Sequence, residues 1–450
     1  MERFVEGLTG TSILEICALC ATAPLGLGIL RSYYASQGGA NQVPHRVFIV
    51  EFICLVAPIV LCCTLASDYL LHALLGMLVV ALCADRINTI DKGTRATTDR
   101  RTGKCGNSST VTKTRHAFIS WYRGNVMIIT CVCILAVDFR VFPRRYGKTE
   151  IYGTGLMDMG VGSFVFSSAL VSRASRADSK RSKGTEGRGL ISASRLRRIV
   201  QVFFLGTLRA AVHYGIDYQT HISEYGVHWN FFFTLLVIML FATLPISPST
   251  QWLVGIAVAV IYQWLLVVWE IDDYILNAPR ENMFSANREG ILGSLGFVAI
   301  YALTVGISRT FVHCSAISMR RLVALDVALW FFTLVTATYV DEISRRMVNL
   351  AYIFWVLAHN VMMLVFLLAV QRRYTCGRKL AGGPATGLLE VLSRNQLAVF
   401  LVANLGTGAV NHSMKTIRKG PVEGTLVVLL YMSLVCVFAK AWGSRYVQRD

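Results

Sequence analysis

Apolar runs of about 20 residues recur from one end of this 450-residue chain to the other, and that recurrence leaves few folds open. Residues 47–66, 226–246, 251–271, 348–370 and 421–442 are examples. A bilayer core offers no water to backbone N–H and C=O groups, so a run crossing it must be a helix or a strand of a closed barrel. Barrel strands are about 10 residues long and alternate in polarity. These runs do neither, which predicts helices. Charged residues make up only 16% of the chain and mean hydropathy is +0.53, against about 25% charged in an ordinary soluble protein.

Read on hydropathy, the chain is an all-α polytopic membrane protein of about thirteen transmembrane helices. The expected spans are 11–30, 47–66, 67–85, 118–138, 156–172, 199–218, 227–247, 250–270, 291–308, 322–339, 348–370, 396–412 and 421–442. Glu15, Asp158 and Asn404 weaken the first, fifth and twelfth. The first run lacks a clean basic start and is expected to be a permanent span rather than a cleaved signal. Residues 1–450 read as one multispanning domain without a soluble appendage or a periodic repeat.

A net charge of +18 would suit a nucleic-acid partner, but here its distribution follows the bilayer. Alternate loops carry 12 Lys and Arg on one side and 29 on the other, with Arg123, Arg209 and Lys440 inside spans. Since basic loops are retained in the cytoplasm, the N-terminus is expected in the lumen and the C-terminus in the cytoplasm. Nucleic acid is excluded as a partner, and the lipid bilayer takes its place. The two long basic loops, 86–117 and 173–198, fall on the cytoplasmic side, where they set topology and attract anionic lipid. The twelve cysteines sit mostly in apolar runs, without disulfide or zinc-ligand spacing, and read as small buried hydrophobes.

Ionisable groups near or inside spans cost about 2.5–3.5 kcal/mol on insertion scales and so call for a reason. The densest set runs from Asp138 to Asp158 on the predicted lumenal face, and holds Arg140, Arg144, Arg145, Lys148 and Glu150. Arg144, Arg145 and Lys148 suit an anionic headgroup, beside a carboxylate placed for proton transfer. The alternative is an interfacial loop with snorkelling arginines and Asp138 paired to one of them. A second cluster, also lumenal, holds Arg209, His213, Asp217, His221, Glu224, His228 and Asn230. Its histidine spacings fit no helical metal-ligand pattern, so no metal is expected; it reads as a wall of the same polar pocket, with Asp217 or Glu224 as partners. Asn287 and Arg288, then Arg345 and Arg346, precede two later spans and read either as capped helix starts or as further site residues. Asn404 fits an interhelical hydrogen bond. Of the two glycosylation patterns, Asn107-Ser-Ser is expected bare on the cytoplasmic side and Asn411-His-Ser bare because it abuts a span.

The strings Asp138-Phe139, Phe142-Pro-Arg-Arg145, Lys148-Thr-Glu150 and Leu156-Met-Asp158, with Gly160-Val-Gly-Ser-Phe164, resemble the PIG-W family. So do Ser223-Glu-Tyr-Gly-Val-His-Trp-Asn-Phe-Phe-Phe233, Ala286-Asn-Arg-Glu-Gly-Ile291, Ser344-Arg-Arg-Met347 and Ser393-Arg-Asn-Gln-Leu-Ala398. Asn404 and Met414-Lys-Thr416 complete the likeness, which covers essentially the whole chain in order. The family comprises the inositol acyltransferases of glycosylphosphatidylinositol (GPI) anchor assembly.

The resemblance implies an endoplasmic reticulum enzyme of about thirteen spans. Its members move a fatty acyl group, typically palmitoyl, from acyl-CoA to the inositol 2-hydroxyl of glucosaminyl-phosphatidylinositol. It implies no cofactor beyond acyl-CoA as co-substrate, and no protein partner can be read from the residues. The family's catalytic Asp and Lys fall on Asp138 and Lys148. The substrate-binding set carried over is Arg144, Arg145, Glu150, Asp158, His228, Asn230, Asn287, Arg288, Arg345 and Arg346. Two positions depart from the pattern: Arg140 stands where many members have Pro, and Gly155 where some have Ser, which argues against a serine nucleophile there.

A thioester is already activated, so proximity, a base and charge stabilisation suffice. Partial burial would raise the Asp138 pKa and make it a better base. Lys148 is then left to stabilise the oxyanion or to fix Asp138 in its ionised form. Two other readings stand beside this one. A different membrane-bound O-acyltransferase would rely on an embedded histidine, for which His213, His359 and His412 are candidates. A lipid transporter or flippase would gather its ionisable residues at the bilayer midplane.

Overall fold

The computed structural model describes residues 8–36, 44–96, 116–176, 193–215, 224–313, 317–375 and 387–447. These residues are helical throughout apart from short turns and one isolated bridge between Gly10 and Thr154. In chain order the main helices are α1 (Ile13–Ser36), α2 (Pro44–Leu55), α3 (Leu70–Ala96), α4 (Ala117–Ala136) and α5 (Met159–Leu170). There follow α6 (Ala193–Gly215), α7 (Phe231–Phe241), α8 (Gln251–Val268) and α9 (Arg288–Ile307). The last four are α10 (Met319–Tyr339), α11 (Leu350–Thr375), α12 (Gln396–Ser413) and α13 (Pro421–Val447).

Each of the thirteen expected segments thus contains a helix, but they are not equally able to cross a bilayer. Among the described residues nine helices are long and apolar enough, α2 by counting Ala57–Cys62 that continues it, and a tenth joins them if the short helix Leu388–Arg394 and α12, bent by 95° at Asn395, form one broken span. The other three segments fall short for local reasons. α5 and α7 are only 12 and 11 residues long. Pro245 and Pro248 follow α7, and neither can continue a helical ladder. α6 carries Arg195, Arg197, Arg198 and Arg209, which lower its hydropathy. The chain is a multispan membrane protein.

The chain divides into two compact units, Met1–Thr11 with Lys148–Met362, and Ser12–Gly147 with Met363–Asp450. In the first, α9 is the central helix and packs against α5, α7 and α8. Small residues permit this: a Cβ on Gly255 of α8 would lie 2.8 Å from Leu303, and one on Gly296 would lie 2.3 Å from the Val348 carbonyl. Val348 has φ of +53°, a strained conformation for a β-branched residue, and it directs the chain into α11 while filling the groove left by Gly293 and Gly296.

In the second unit α4 is the central helix. It packs against the helix Leu388–Arg394, α12 and α13, and α1 packs along α3. Gly124 of α4 rests on the backbone of Leu389, where a Cβ would lie 2.5 Å from the carbonyl oxygen. Of the described cysteines, Cys20, Cys62, Cys63, Cys131, Cys133 and Cys436 are buried in this unit, whereas Cys17 and Cys54 are partly exposed and Cys83 is exposed.

Candidate active site

The Asp138–Asp158 string straddles the boundary between the two units, so its residues build two separate clusters. In the second unit, α4 ends at Ala136 and the chain turns at once, with Asp138 N–H donating to the Leu135 carbonyl and Phe139 N–H to that of Ala136. Phe139 and Phe142 are fully buried and anchor the turn. The Phe139 ring fills the space beside Gly424, where a Cβ would lie 2.9 Å from the ring. Pro143 holds an extended backbone ahead of one 3₁₀ turn, Arg144–Tyr146.

Asp138 is half-buried at the end of α4, and its Oδ2 accepts a hydrogen bond from Asn411 Nδ2 at 2.8 Å. Burial raises its pKa above the usual carboxylate range, while the Asn411 amide and the Arg144 charge work against the rise. Arg144 is turned toward its own chain and donates to the carbonyls of Val137 and Phe139 at 2.9 and 2.6 Å. It therefore holds the turn that presents Asp138. Arg145 lies in a pair of carboxylates, with Nε 2.9 Å from Glu15 and a terminal nitrogen 2.8 Å from Asp68, and its guanidinium stacks on Tyr146. Tyr146 in turn donates its hydroxyl to Glu15 at 2.8 Å.

In the first unit, Lys148 forms an ion pair with Glu224 at 2.5 Å. Burial alone would raise the Glu224 carboxyl, but Lys148, with Arg345 and Arg209 beyond it, holds it down at about 2. Next to this pair Asp158 is completely enclosed. It accepts from Thr149 N–H at 3.2 Å, from the Thr149 hydroxyl at 3.0 Å and from Gly155 N–H at 2.8 Å, and it pairs with Arg345 Nε at 2.8 Å. The Tyr352 hydroxyl donates to the Asp158 backbone carbonyl. A carboxylate so deeply buried is tolerable only with this complete set of donors, and it fixes the loop that carries Lys148. Glu150 sits on that loop, its N–H donating to the Leu8 carbonyl.

The other members of the set brace the same unit. Asn287 Oδ1 accepts from the N–H groups of both His228 and Trp229, at 2.7 and 2.9 Å, and so clamps the strip that carries Glu224. Asn230 caps α7 through Phe232 N–H and donates to the Gly206 carbonyl. Arg288 donates to the carbonyls of Ile275 and Ala278. Arg346 and Arg280 share the enclosed carboxylate of Glu289. Together, Glu224, Tyr225, Glu289, Gly290, Arg345 and Arg346 line a pocket of about 290 Å³, counting the space open at its mouth. Burial pushes the Tyr225 phenol up.

Asn411, Glu15 and Glu289 have roles here that their positions in the sequence did not single out. Asn411 stood out as a glycosylation pattern and as a polar residue following the twelfth span, and Glu15 only as a flaw in a span. Glu224 was foreseen as a partner within the second cluster, and its partner is Lys148 of the first. Asp217 and His221, the glycosylation pattern at Asn107, and most of both basic loops lie outside the described residues, as does the His213 side chain. His359 is buried in α11, and His412 is exposed at the end of α12.

Compared with known proteins, the chain matches the GWT1 family model over residues 1–442. The chain belongs to the GWT1 family. The phosphatidylinositol-glycan biosynthesis class W protein of Dictyostelium discoideum is 32% identical, over 97% of this chain and 96% of its own length. The GPI-anchored wall transfer protein 1 of Aspergillus fumigatus is 35% identical over 98% and 96%. The human glucosaminyl-phosphatidylinositol-acyltransferase PIGW is 32% identical over 97% and 96%. The GWT1 match takes in both clusters and both units, so neither is an appendage peculiar to this chain.

Proposed function

We propose that this GWT1-family chain is the inositol acyltransferase of GPI-anchor assembly in the endoplasmic reticulum membrane. It moves a fatty acyl group, palmitoyl by resemblance, from acyl-CoA to the inositol 2-hydroxyl of glucosaminyl-phosphatidylinositol. The observation that carries the reading is the near full-length likeness to a human relative named for acyl transfer to that lipid. The whole chain acts as one domain of thirteen spans, with the N-terminus in the lumen and the C-terminus in the cytoplasm; what supports the span count is a helix in each expected segment, nine or ten of them long and apolar enough to cross among the described residues.

In this reading Asp138 takes the hydroxyl proton as the inositol oxygen attacks the thioester carbonyl. Burial makes its carboxylate a stronger base than an exposed one, although the Asn411 donor and the Arg144 charge work against the rise. Lys148 stabilises the oxyanion of the tetrahedral intermediate, and the thiolate leaves with a proton. Arg345 and Arg346 line the polar pocket assigned to the headgroup, His228 and Asn230 belong to the strip beside it, and Asp158, Asn287 and Arg288 hold it in form.

The test uses microsomes that lack inositol acylation, supplied with this protein, glucosaminyl-phosphatidylinositol and labelled palmitoyl-CoA. A labelled lipid that resists phosphatidylinositol-specific phospholipase C is the expected product, because that enzyme needs the free 2-hydroxyl. Absence of such a lipid with well-folded protein would overturn the proposal.

A further inference from the structure

The second unit holds another polar pocket, at the opposite end of α4 from Asp138. It is lined by Arg31 and Tyr34 of α1, Glu51 of α2, Trp121 of α4, and Gly387 to Glu390, and has about 370 Å³ of space including its mouth. Trp121 and Asp138 are 17 positions apart, which along a helix is about 25 Å. Glu51 is satisfied: Lys440 pairs with it at 2.6 Å, and Leu388 N–H donates to it.

Arg31, Tyr34 and Asn125 each keep a buried polar atom without a hydrogen-bond partner among the described residues, while the charges of Glu390 and Glu51 act on the Arg31 guanidinium. The Arg31 guanidinium lies 4.6 Å from the Trp121 ring centre, and its buried Nε meets no hydrogen-bond partner among the described residues. Tyr34 is 5% exposed, and its hydroxyl is likewise without a partner. One helical turn from Trp121 on the same face of α4, Asn125 is 1% exposed, with both its amide oxygen and its amide nitrogen unpaired. A buried polar group left without a partner is costly; two of these lie on the pocket wall and the third lies one helical turn along α4 from Trp121. Two are donors at the pocket, with an aromatic face beside them. The third offers one donor and one acceptor, the complement of an amide.

We infer that this pocket binds the phosphopantetheine stem of a thioester donor: the phosphoester on Arg31 and Tyr34, and an amide of the stem against Asn125. The inference rests on the acyl-transfer reading and places the donor's polar end away from Asp138. A chain-like ligand suits that arrangement, because its reactive end lies far from its charged end. Glu390, also on the pocket wall, is placed to accept from a donor of the stem.

The test is binding of unacylated CoA and of 4′-phosphopantetheine to the purified full-length protein in nanodiscs, alongside the acylation assay. Arg31→Gln is expected to weaken CoA binding by about tenfold or more and to raise the KM for palmitoyl-CoA similarly, with the KM for glucosaminyl-phosphatidylinositol unchanged. Asn125→Leu should keep or raise Tm, since it removes an unsatisfied amide, and yet weaken CoA binding. Tyr34→Phe, the conservative change, should give a smaller loss of the same kind. Active protein whose Arg31→Gln and Asn125→Leu variants bind CoA like wild type would overturn the pocket assignment and leave the acyltransferase standing. Displacement of CoA by inorganic phosphate or anionic lipid at the concentration of CoA itself would also overturn it, in favour of a simple phosphate site. Wild-type protein that neither binds CoA nor forms product would overturn the reading beneath it.

Discussion

Asn411, near the end of α12, donates a 2.8 Å hydrogen bond to Asp138, 273 positions earlier at the end of α4. Two helices of the second unit thereby meet at one carboxylate, and the other amide atom, Oδ1, is buried with no partner among the described residues. A glycan on Asn411 would replace one of the two hydrogens on the nitrogen that makes this bond and crowd the half-buried carboxylate beside it, so the observed geometry disfavours use of the glycosylation pattern there.

Asn411→Leu should move the acidic limb of the pH–rate profile upward. In the proposed mechanism the carboxylate is the active form, and its pKa is already raised by burial, with the Asn411 donor working against the rise. Without the donor the pKa rises further, so the rate falls off at a higher pH than in wild type. Measuring kcat/KM from pH 5 to 8 decides it, and an unchanged limb would sever Asp138 from the proton transfer.

Asp138→Asn should remove most of the acylation with little change in Tm. The amide can still face Asn411 but cannot take a proton, a loss of about 10²–10⁴-fold for a general base. Phospholipase-resistant product, normalised to folded protein, is the measurement.

The thirteen helical segments were legible because each needs only its own run of apolar residues, and the bilayer enforces helix within it. Their lengths were less so. α5 and α7 stop early through turns and prolines whose effect depends on the neighbours they pack against. Of the site, Asp138 and Lys148 were visible as charges where charges are costly. What could not be read was pairing: Glu224 lies 76 positions from Lys148 and Arg345 lies 187 from Asp158, and no periodicity links residues so far apart. Glu289 sat inside a quoted string as one more polar residue, and only the fold shows that two arginines converge on it.

Stability at low pH should fall as Glu224 is protonated. Its folded pKa, about 2, lies below the ordinary value of 4.5. The ion pair therefore contributes fully above about 4.5 and is lost as pH falls toward 2, an effect on the order of 3 kcal/mol at most. In Lys148→Met the largest attraction holding the pKa down is gone, so thermal melts between pH 6 and 3 should lose part of this slope. An identical slope in the variant would show that Lys148 is not what holds the carboxylate.

Glu289→Gln should be more damaging than any change at a surface ion pair. Its enclosed carboxylate is shared by Arg280 and Arg346, and the variant leaves two largely buried cations facing an amide. Breaking a buried pair in this way costs about 3–5 kcal/mol. The expected result is a marked loss of folded protein on detergent size exclusion, while Lys419→Met, which removes an exposed ion pair with Glu423, should change little.

Two glycine substitutions separate helix propensity from close packing. Gly160 lies in α5 with nothing within 4 Å of where its Cβ would stand, so Gly160→Ala should stabilise by about 0.4–1 kcal/mol through the unfolded chain. Gly290 lies in the first turn of α9, and a Cβ there would come within 2.2 Å of the Trp229 indole. That ring is held by the Trp229 N–H bond to Asn287 and by the indole N–H bond to Thr234, so it cannot move without disturbing the strip that carries Glu224. Gly290→Ala should therefore lower Tm despite its gain in helix propensity, and should lower acylation by more than the loss of folded protein explains. Equal Tm shifts from the two substitutions would mean that the Trp229 strip yields freely and does not position Glu224.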